Sequence, residues 1–356
     1  MNFIVQSNGK TALTYDDVQL VPAYSEIESR QNISLHTKLS QRYELSIPLI
    51  ASPMDTVCES DMAIAMADLG GVGCIHRFMT IERQAEEVEK VHDHIYGDGF
   101  GSLSAKREYT VPIMAAIGAN GDYLERAQEL VKNGANVILI DVAHGYHKFV
   151  MDAIRELKKQ LPSHVDVIAG NVATGDAVYN LQVAGADAIR VGIGGGSLCT
   201  TRVKTGFGVP NVTSLQECSG QAKVPIIACG GIRNSGDIAK AIAMGASSVI
   251  LGSLLAGTKE APGKIIEQAD GSLYKRYRGA ASLETKSVHG QAQRNVEGES
   301  TVVPFKGKAK FVVDGLLDGL RSALSYAGAS SIDQFYPDYV VVTNAGIAEA
   351  RPHLIR

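Results

Sequence analysis

The stretch whose residue types could do chemistry is Val191-Gly-Ile-Gly-Gly-Gly-Ser-Leu-Cys199-Thr-Thr-Arg202. It begins as an apolar strand, turns into a run of glycines, and ends on one cysteine followed by two threonines and an arginine. Glycine permits positive φ and close backbone approach, so such a loop can aim carbonyls or amides at an ion or a phosphate. The cysteine just past it sits where a nucleophile would be presented. The same pattern fits an ordinary strand-to-helix turn with a buried, inert thiol. Spacing alone leaves both readings open.

The rest of the chain bounds what such a loop can belong to. Hydrophobic residues make up 45% and charged residues 20% of the 356 residues, an ordinary globular composition. A net charge of −4 gives no basic field for nucleic acid or for an anionic membrane. Cys58, Cys74, Cys199, Cys218 and Cys229 are scattered without a CxxC pair, which fits reduced thiols and a cytoplasmic location better than a disulfide or zinc framework. The first residues show no signal-peptide core, and no apolar run is long enough to span a bilayer.

Positioning falls to a repeated rhythm. Ile47–Ser52, Gly71–Ile75, Val111–Ile117, Val137–Ile140, Val165–Ala169, Ala188–Val191, Val224–Cys229 and Ser248–Leu251 are eight short apolar runs, each followed by polar or glycine residues. Amphipathic helical stretches lie between them, and Gly134-Ala135, Gly185-Ala186 and Gly245-Ala246 mark helix ends leading into strands. Eight βα units predict a TIM (β/α)8 barrel with its chemistry at the C-terminal strand ends. The expected organisation is a single domain over 1–356. It divides into an N-terminal extension (1–45), the barrel (46–256), and a flap and C-terminal segment (257–356). Gly279 to Ser300 reads as a mobile loop. A helix around Val313–Ala323 and a β-like Tyr339–Val342 follow.

Gly192 to Arg202, with Thr205-Gly-Phe-Gly208 after it, resembles the catalytic loop of the IMP dehydrogenase/GMP reductase family. Similar motifs run nearly end to end. They include the Asp-Asp-Val start at Asp16, Ser52-Pro-Met-Asp-Thr56, Ala169-Gly-Asn-Val172, Gly230-Gly231, Tyr277-Arg-Gly279, Pro304-Phe-Lys-Gly307 and Leu320 to Ala329. Within the family, the dehydrogenases carry an Arg-Tyr pair in the flap that activates water. Ala281 to Val296 is short and has none. Asp141-Val-Ala-His-Gly-Tyr146, Ser29-Arg30 and Arg294-Asn-Val-Glu297-Gly298 resemble the reductase pattern, whereas Ile81–Val88 reads like the dehydrogenases. No CBS pair sits between Arg77 and Val111. The balance favours a GMP reductase. That enzyme would carry out NADPH-dependent reductive deamination of GMP or dGMP to IMP or dIMP and ammonia. The alternatives are an IMP dehydrogenase lacking the CBS domain, and a catalytically degraded nucleotide-binding protein.

The resemblance implies roles. Cys199 would attack purine C2 and form a thioimidate, with Thr201 and Glu297 moving protons. Ser52, Met54, Ser197, Cys229, Gly230, Gly231, Gly252, Ser253, Tyr277, Gly279, Ala280, Ala281, Arg294 and Gly298 would bind the purine nucleoside monophosphate. Ser29, Arg30, Arg77, Asp141, Val142, Ala143, Arg294, Ser322 and Ser325 would bind the cofactor. Gly194, Gly196, Cys199 and Arg202 would surround a K+ ion, and the assembly would be a homotetramer. Two departures stand out. Gly195 replaces a proline, and Cys229 replaces the aspartate that accepts hydrogen bonds from the ribose hydroxyls. A thiol is a weak acceptor.

Overall fold

Strand parity organises the fold. The structure, a computed structural model, describes residues 11–97, 110–288 and 296–349. Eight parallel strands close into a barrel: β1 (Leu49–Ala51), β2 (Val72–Ile75), β3 (Met114–Ile117), β4 (Val137–Asp141), β5 (Asp166–Val172), β6 (Ala188–Val191), β7 (Ile226–Cys229) and β8 (Ser248–Leu251). Closure runs β8 to β1 through Ile250 opposite Ile50, and β6 to β7 through Val191 opposite Ala228. Ile50, Cys74, Met114, Leu139, Ile168, Ala188, Ile227 and Ile250 fill the interior, while their neighbours Ala51, Ile75, Ala115, Ile140, Ala169, Ile189, Ala228 and Leu251 pack outward under the helices. A side-chain period of two makes both faces apolar, which is why each strand reads as a continuous hydrophobic run.

The outer layer includes α1 (Ser60–Leu69), α2 (Ile81–Tyr96), α3 (Tyr123–Lys132), α4 (Lys148–Gln160) and α5 (Gly175–Ala184). Beyond β6 come a short α6 (Thr201–Thr205), α7 (Asn211–Ser219), α8 (Ser235–Ala243), α9 (Ser253–Ala256), α10 (Leu283–Val288) and α11 (Ala309–Tyr326). The glycines expected at helix ends take positive φ: 106° at Gly134, 110° at Gly185 and 97° at Gly245.

One mouth of the barrel is closed. The hairpin of Thr37–Lys38 and Glu44–Leu45 delivers Leu39, Tyr43 and Leu45 to the interior cluster. Ser40 donates to Asp166 Oδ2 at 2.7 Å, and the Tyr43 hydroxyl donates to the His164 carbonyl. Asp166 opens β5, so the plug seals the N-terminal strand ends and leaves the C-terminal ends for function. The chain between α2 and β3 has no room for a CBS pair.

The C-terminal segment is more regular than an aperiodic tail. β9 (Leu273–Arg278) and β10 (Ser300–Pro304) pair antiparallel and support the flap between them, and α10 lies inside the stretch read as a loop. Six residues are too few for a periodic signal. Tyr339–Val341 pairs antiparallel with Val18–Leu20 and ties the C-terminal segment to the N-terminal extension.

Candidate active site

The C-terminal strand ends open on one cleft of about 610 Å³. Parity decides its floor. Asp141 on β4, Arg190 on β6, Cys229 on β7 and Ile250 on β8 share the inward-facing alternation of their strands and line the cleft.

The glycine loop leaves β6 across the end of β7. Gly192 has φ 137°, and a Cβ there would lie 1.9 Å from the Cys229 carbonyl oxygen, so no other residue fits. Asn171 Nδ2 holds the Gly192 carbonyl at 2.6 Å. A Cβ on Gly195 would meet the Asn211 amide at 2.7 Å, and Asn211 Nδ2 in turn donates to the Gly230 carbonyl at 2.7 Å. Gly195 therefore leaves room for Asn211, which joins the two glycine turns. Arg202 is exposed, and its stem packs beneath Gly194 and Gly208.

Cys199 is partly exposed, at the end of this loop. Its Sγ lies 3.2 Å from Thr201 Oγ1, which donates to Glu297 Oε2 at 2.7 Å. Backbone bonds hold the line in place. Thr200 N donates to Glu297 O at 2.9 Å, Glu299 N to Leu198 O at 3.0 Å, and Glu297 N to Ala281 O at 3.1 Å. A carboxylate 98 residues downstream in sequence is thus fixed against the loop through an isolated bridge between Cys199 and Gly298.

At the end formed by β7 and β8, Gly230 (φ 91°) and Gly231 (φ 76°) face Ser197 and the short helix that begins at Ser253. Tyr277 OH lies 3.2 Å from Ser197 Oγ. Burial holds the Tyr277 phenol above its ordinary range, so it stays a neutral hydroxyl. Ser52, Met54, Gly252, Gly279, Ala280, Ala281 and Gly298 complete that wall.

Opposite, Arg190 Nη1 donates to Asp141 Oδ1 at 2.5 Å, while Arg77 Nε stands 4.0 Å from Asp141 Oδ2. Burial opposes the charge on Arg190, yet Cys229 and Asp141 beside it hold the guanidinium above its ordinary value. The Nε atoms of Arg77 and Arg190 are buried without hydrogen-bond partners. Val142 and Ala143 add apolar surface next to them.

Not every expected ligand arrives. Arg30 and Ser322 line a separate hollow of about 410 Å³ with Gln31, Asp318 and Arg321, where Arg30 Nη1 donates to Ser322 Oγ at 2.9 Å. Ser29 caps the turn at Arg30–Asn32, and Ser325 sits near the end of α11. Because α11 packs on the outer layer against α8 and α1, none of these four reaches this chain's cleft. Arg294 lies outside the described residues. The sequence reading missed Arg190, Asn171 and Asn211; the parity of β6 pointed to the first, and nothing local pointed to the other two. Among the described residues, no group of three or more His, Cys, Asp or Glu is placed to hold a metal, and no helix is long and apolar enough to cross a membrane.

Comparison with known proteins decides the family. The IMP dehydrogenase / GMP reductase domain matches residues 12–353. The chain belongs to this family. It is 40% identical to an inosine-5′-monophosphate dehydrogenase of Cryptosporidium parvum, over 96% of this chain and 94% of that protein. It is 34% identical to the same-named protein of Nitrosopumilus maritimus, over 97% and 98%. For that of Borreliella burgdorferi the identity is 36%, over 97% of each. The chain is therefore an oxidoreductase of a family that uses a nicotinamide cofactor and purine nucleoside monophosphates.

These matches overturn the GMP reductase expectation. It rests on Asp141 to Tyr146, Ser29-Arg30, Arg294 to Gly298 and a short flap without Arg-Tyr, whereas the identity to dehydrogenases runs along nearly the whole chain. With it goes the expected NADPH-driven deamination of GMP or dGMP. The buried Nε of Arg77, without a hydrogen-bond partner, and the neighbouring Val142 and Ala143 suit a ligand with polar groups flanking a flat ring, and fit a nicotinamide cofactor.

Proposed function

We propose that the protein oxidises the hypoxanthine ring of IMP-type nucleotides at C2, giving the xanthine nucleotide. The observation that carries this reading is the continuous line from Cys199 through Thr201 to Glu297 in a cleft shared with the glycine turns. The names of the relatives point to the same substrate.

The Cys199 thiolate adds to C2, since a thiolate is a strong nucleophile near neutral pH. A nicotinamide cofactor held on the Asp141 side would supply the acceptor for the hydride that leaves C2. The resulting thioimidate is then cleaved by water. Thr201 takes the proton of the attacking water while passing its own to Glu297, the C2–O bond forms, the second water proton stays with the xanthine product, and the C2–S bond breaks to return the thiolate. With no Arg-Tyr pair in the flap, Glu297 is the base for this second half. Asp141, Val142, Ala143 and Arg77 would hold the cofactor, NAD+ in this direction. Gly230, Gly231, Gly252, Ser253 and Tyr277 would hold the phosphate, because barrels bind it at the last two loops. Carbonyls of Gly194, Gly196 and Cys199 would bind K+, a hard cation suited to oxygen ligands. A homotetramer is the assembly this reading carries.

The deciding assay follows absorbance at 340 nm. NAD+ with hypoxanthine nucleotides should yield NADH. Failure there, with NADPH consumed in the presence of GMP, would end this reading.

A further inference from the structure

We propose that the floor around Cys229 makes the cleft selective for 2′-deoxyribonucleotides, so that dIMP is preferred over IMP in the reaction proposed above, on which this inference rests. The base belongs at Cys199 and the phosphate on the amides of Gly230 and Gly231. Those glycines directly follow Cys229 in the chain, so the sugar between base and phosphate lies over Cys229 and its register partner Ile250. Met54, whose sulfur stands 4.0 Å from the Tyr277 hydroxyl, closes the same wall. The surface offered to the sugar is two sulfurs and an aliphatic chain, with the Arg190 guanidinium beside Cys229.

A ribose brings two neighbouring hydroxyls, and each needs an acceptor for its hydrogen. Among the described lining residues the carboxylates are Asp141 and Glu297, and both are engaged. Asp141 accepts from Arg190 and faces Arg77, and Glu297 accepts from Thr201. Arg190, only 7% exposed, leaves its Nε unpartnered beside Cys229. A guanidinium is a donor only, so it meets one hydroxyl oxygen and supplies no acceptor for a second. The carbonyls of Gly192 and Gly230 each already accept one hydrogen bond, from Asn171 and Asn211. On the floor itself a 2′-hydroxyl meets only the Cys229 thiol, a weak acceptor, and the Ile250 side chain, which has none, whereas a 2′-methylene packs against both. An apolar pocket rejects an added hydroxyl by up to about 100-fold.

The test measures kcat/KM and, without cofactor, the dissociation constants of IMP and dIMP for the wild type, Cys229→Asp and Cys229→Ser. The wild type should favour dIMP by about 10- to 100-fold in both readouts. Cys229→Asp should move the ratio toward IMP by about tenfold or more, and Cys229→Ser should move it the same way by less. Equal use of the two sugars, or a preference for IMP, overturns the proposal, as does a ratio unmoved by either variant. If neither nucleotide is oxidised, the dehydrogenase reading fails, while the ratio of dissociation constants still decides the sugar.

Discussion

Thr201 donates its hydroxyl hydrogen to Glu297 at 2.7 Å, joining a residue just past the glycine loop to one that follows the flap. The same hydroxyl stands 3.2 Å from the Cys199 thiol. One hydroxyl thus touches the thiol that we propose as the nucleophile on one side and the carboxylate that we propose as the base on the other.

That arrangement separates two variants kinetically. Cys199→Ser should lose turnover by at least about 10³-fold, with no first-turnover burst of NADH, because a hydroxyl lacks an accessible anion. Glu297→Gln should lower steady-state turnover by about 10²–10⁴-fold yet keep the burst, since hydride departure precedes the step that needs the base. Stopped-flow absorbance at 340 nm distinguishes the two. A Glu297→Gln enzyme with neither burst nor turnover would remove Glu297 from the hydrolytic half.

Gly192 permits the loop to cross the Cys229 carbonyl. Gly192→Ala forces a Cβ to within 1.9 Å of that oxygen at φ 137°. The backbone of β6 or β7 must move, at a cost of at least about 1–3 kcal/mol of strain. Thermal unfolding should show the lost stability and nucleotide titration a weakened site. An unchanged melting temperature with full activity would contradict the geometry.

Glu87 on α2 ties the outer layer together and carries a pH signature. It accepts from Ser60 N at 2.8 Å at the start of α1 and from Lys90 Nζ at 2.6 Å. Burial opposes its charge, but the Lys90 and Ser60 bonds outweigh burial and hold the carboxyl below its ordinary value. A carboxyl lowered on folding contributes stability that is complete above the unfolded value of about 4.3 and is lost as pH falls through the lower folded value. Glu87→Gln should therefore be less stable by about 1–3 kcal/mol at neutral pH. The gap to wild type should persist to about pH 5 and close below about pH 4. Denaturant melts at several pH values read this directly, and a pH-independent gap would show that the charge is not what matters.

Much of this molecule is determined by the sequence alone. The eight apolar runs are legible as a barrel because strands buried on both faces need hydrophobic residues at every position, a local requirement. The glycine loop with Cys199 is legible because only glycine tolerates the backbone it needs. The branch of the family is not legible, because Asp141 to Tyr146, Ser29-Arg30, Arg294 to Gly298 and the short flap are weak witnesses beside identity spread over the whole chain. Tertiary structure alone decided which distant residues meet. Glu297 reaches Thr201, Asn211 fills the space that Gly195 leaves, and Arg190 pairs with Asp141. Ser29, Arg30, Ser322 and Ser325 end up at a different hollow or on the outer layer. A side chain's type is written in the chain, but its partner is set by strand parity and by which loops converge at the open mouth of the barrel. Those are properties of closure, not of any single segment.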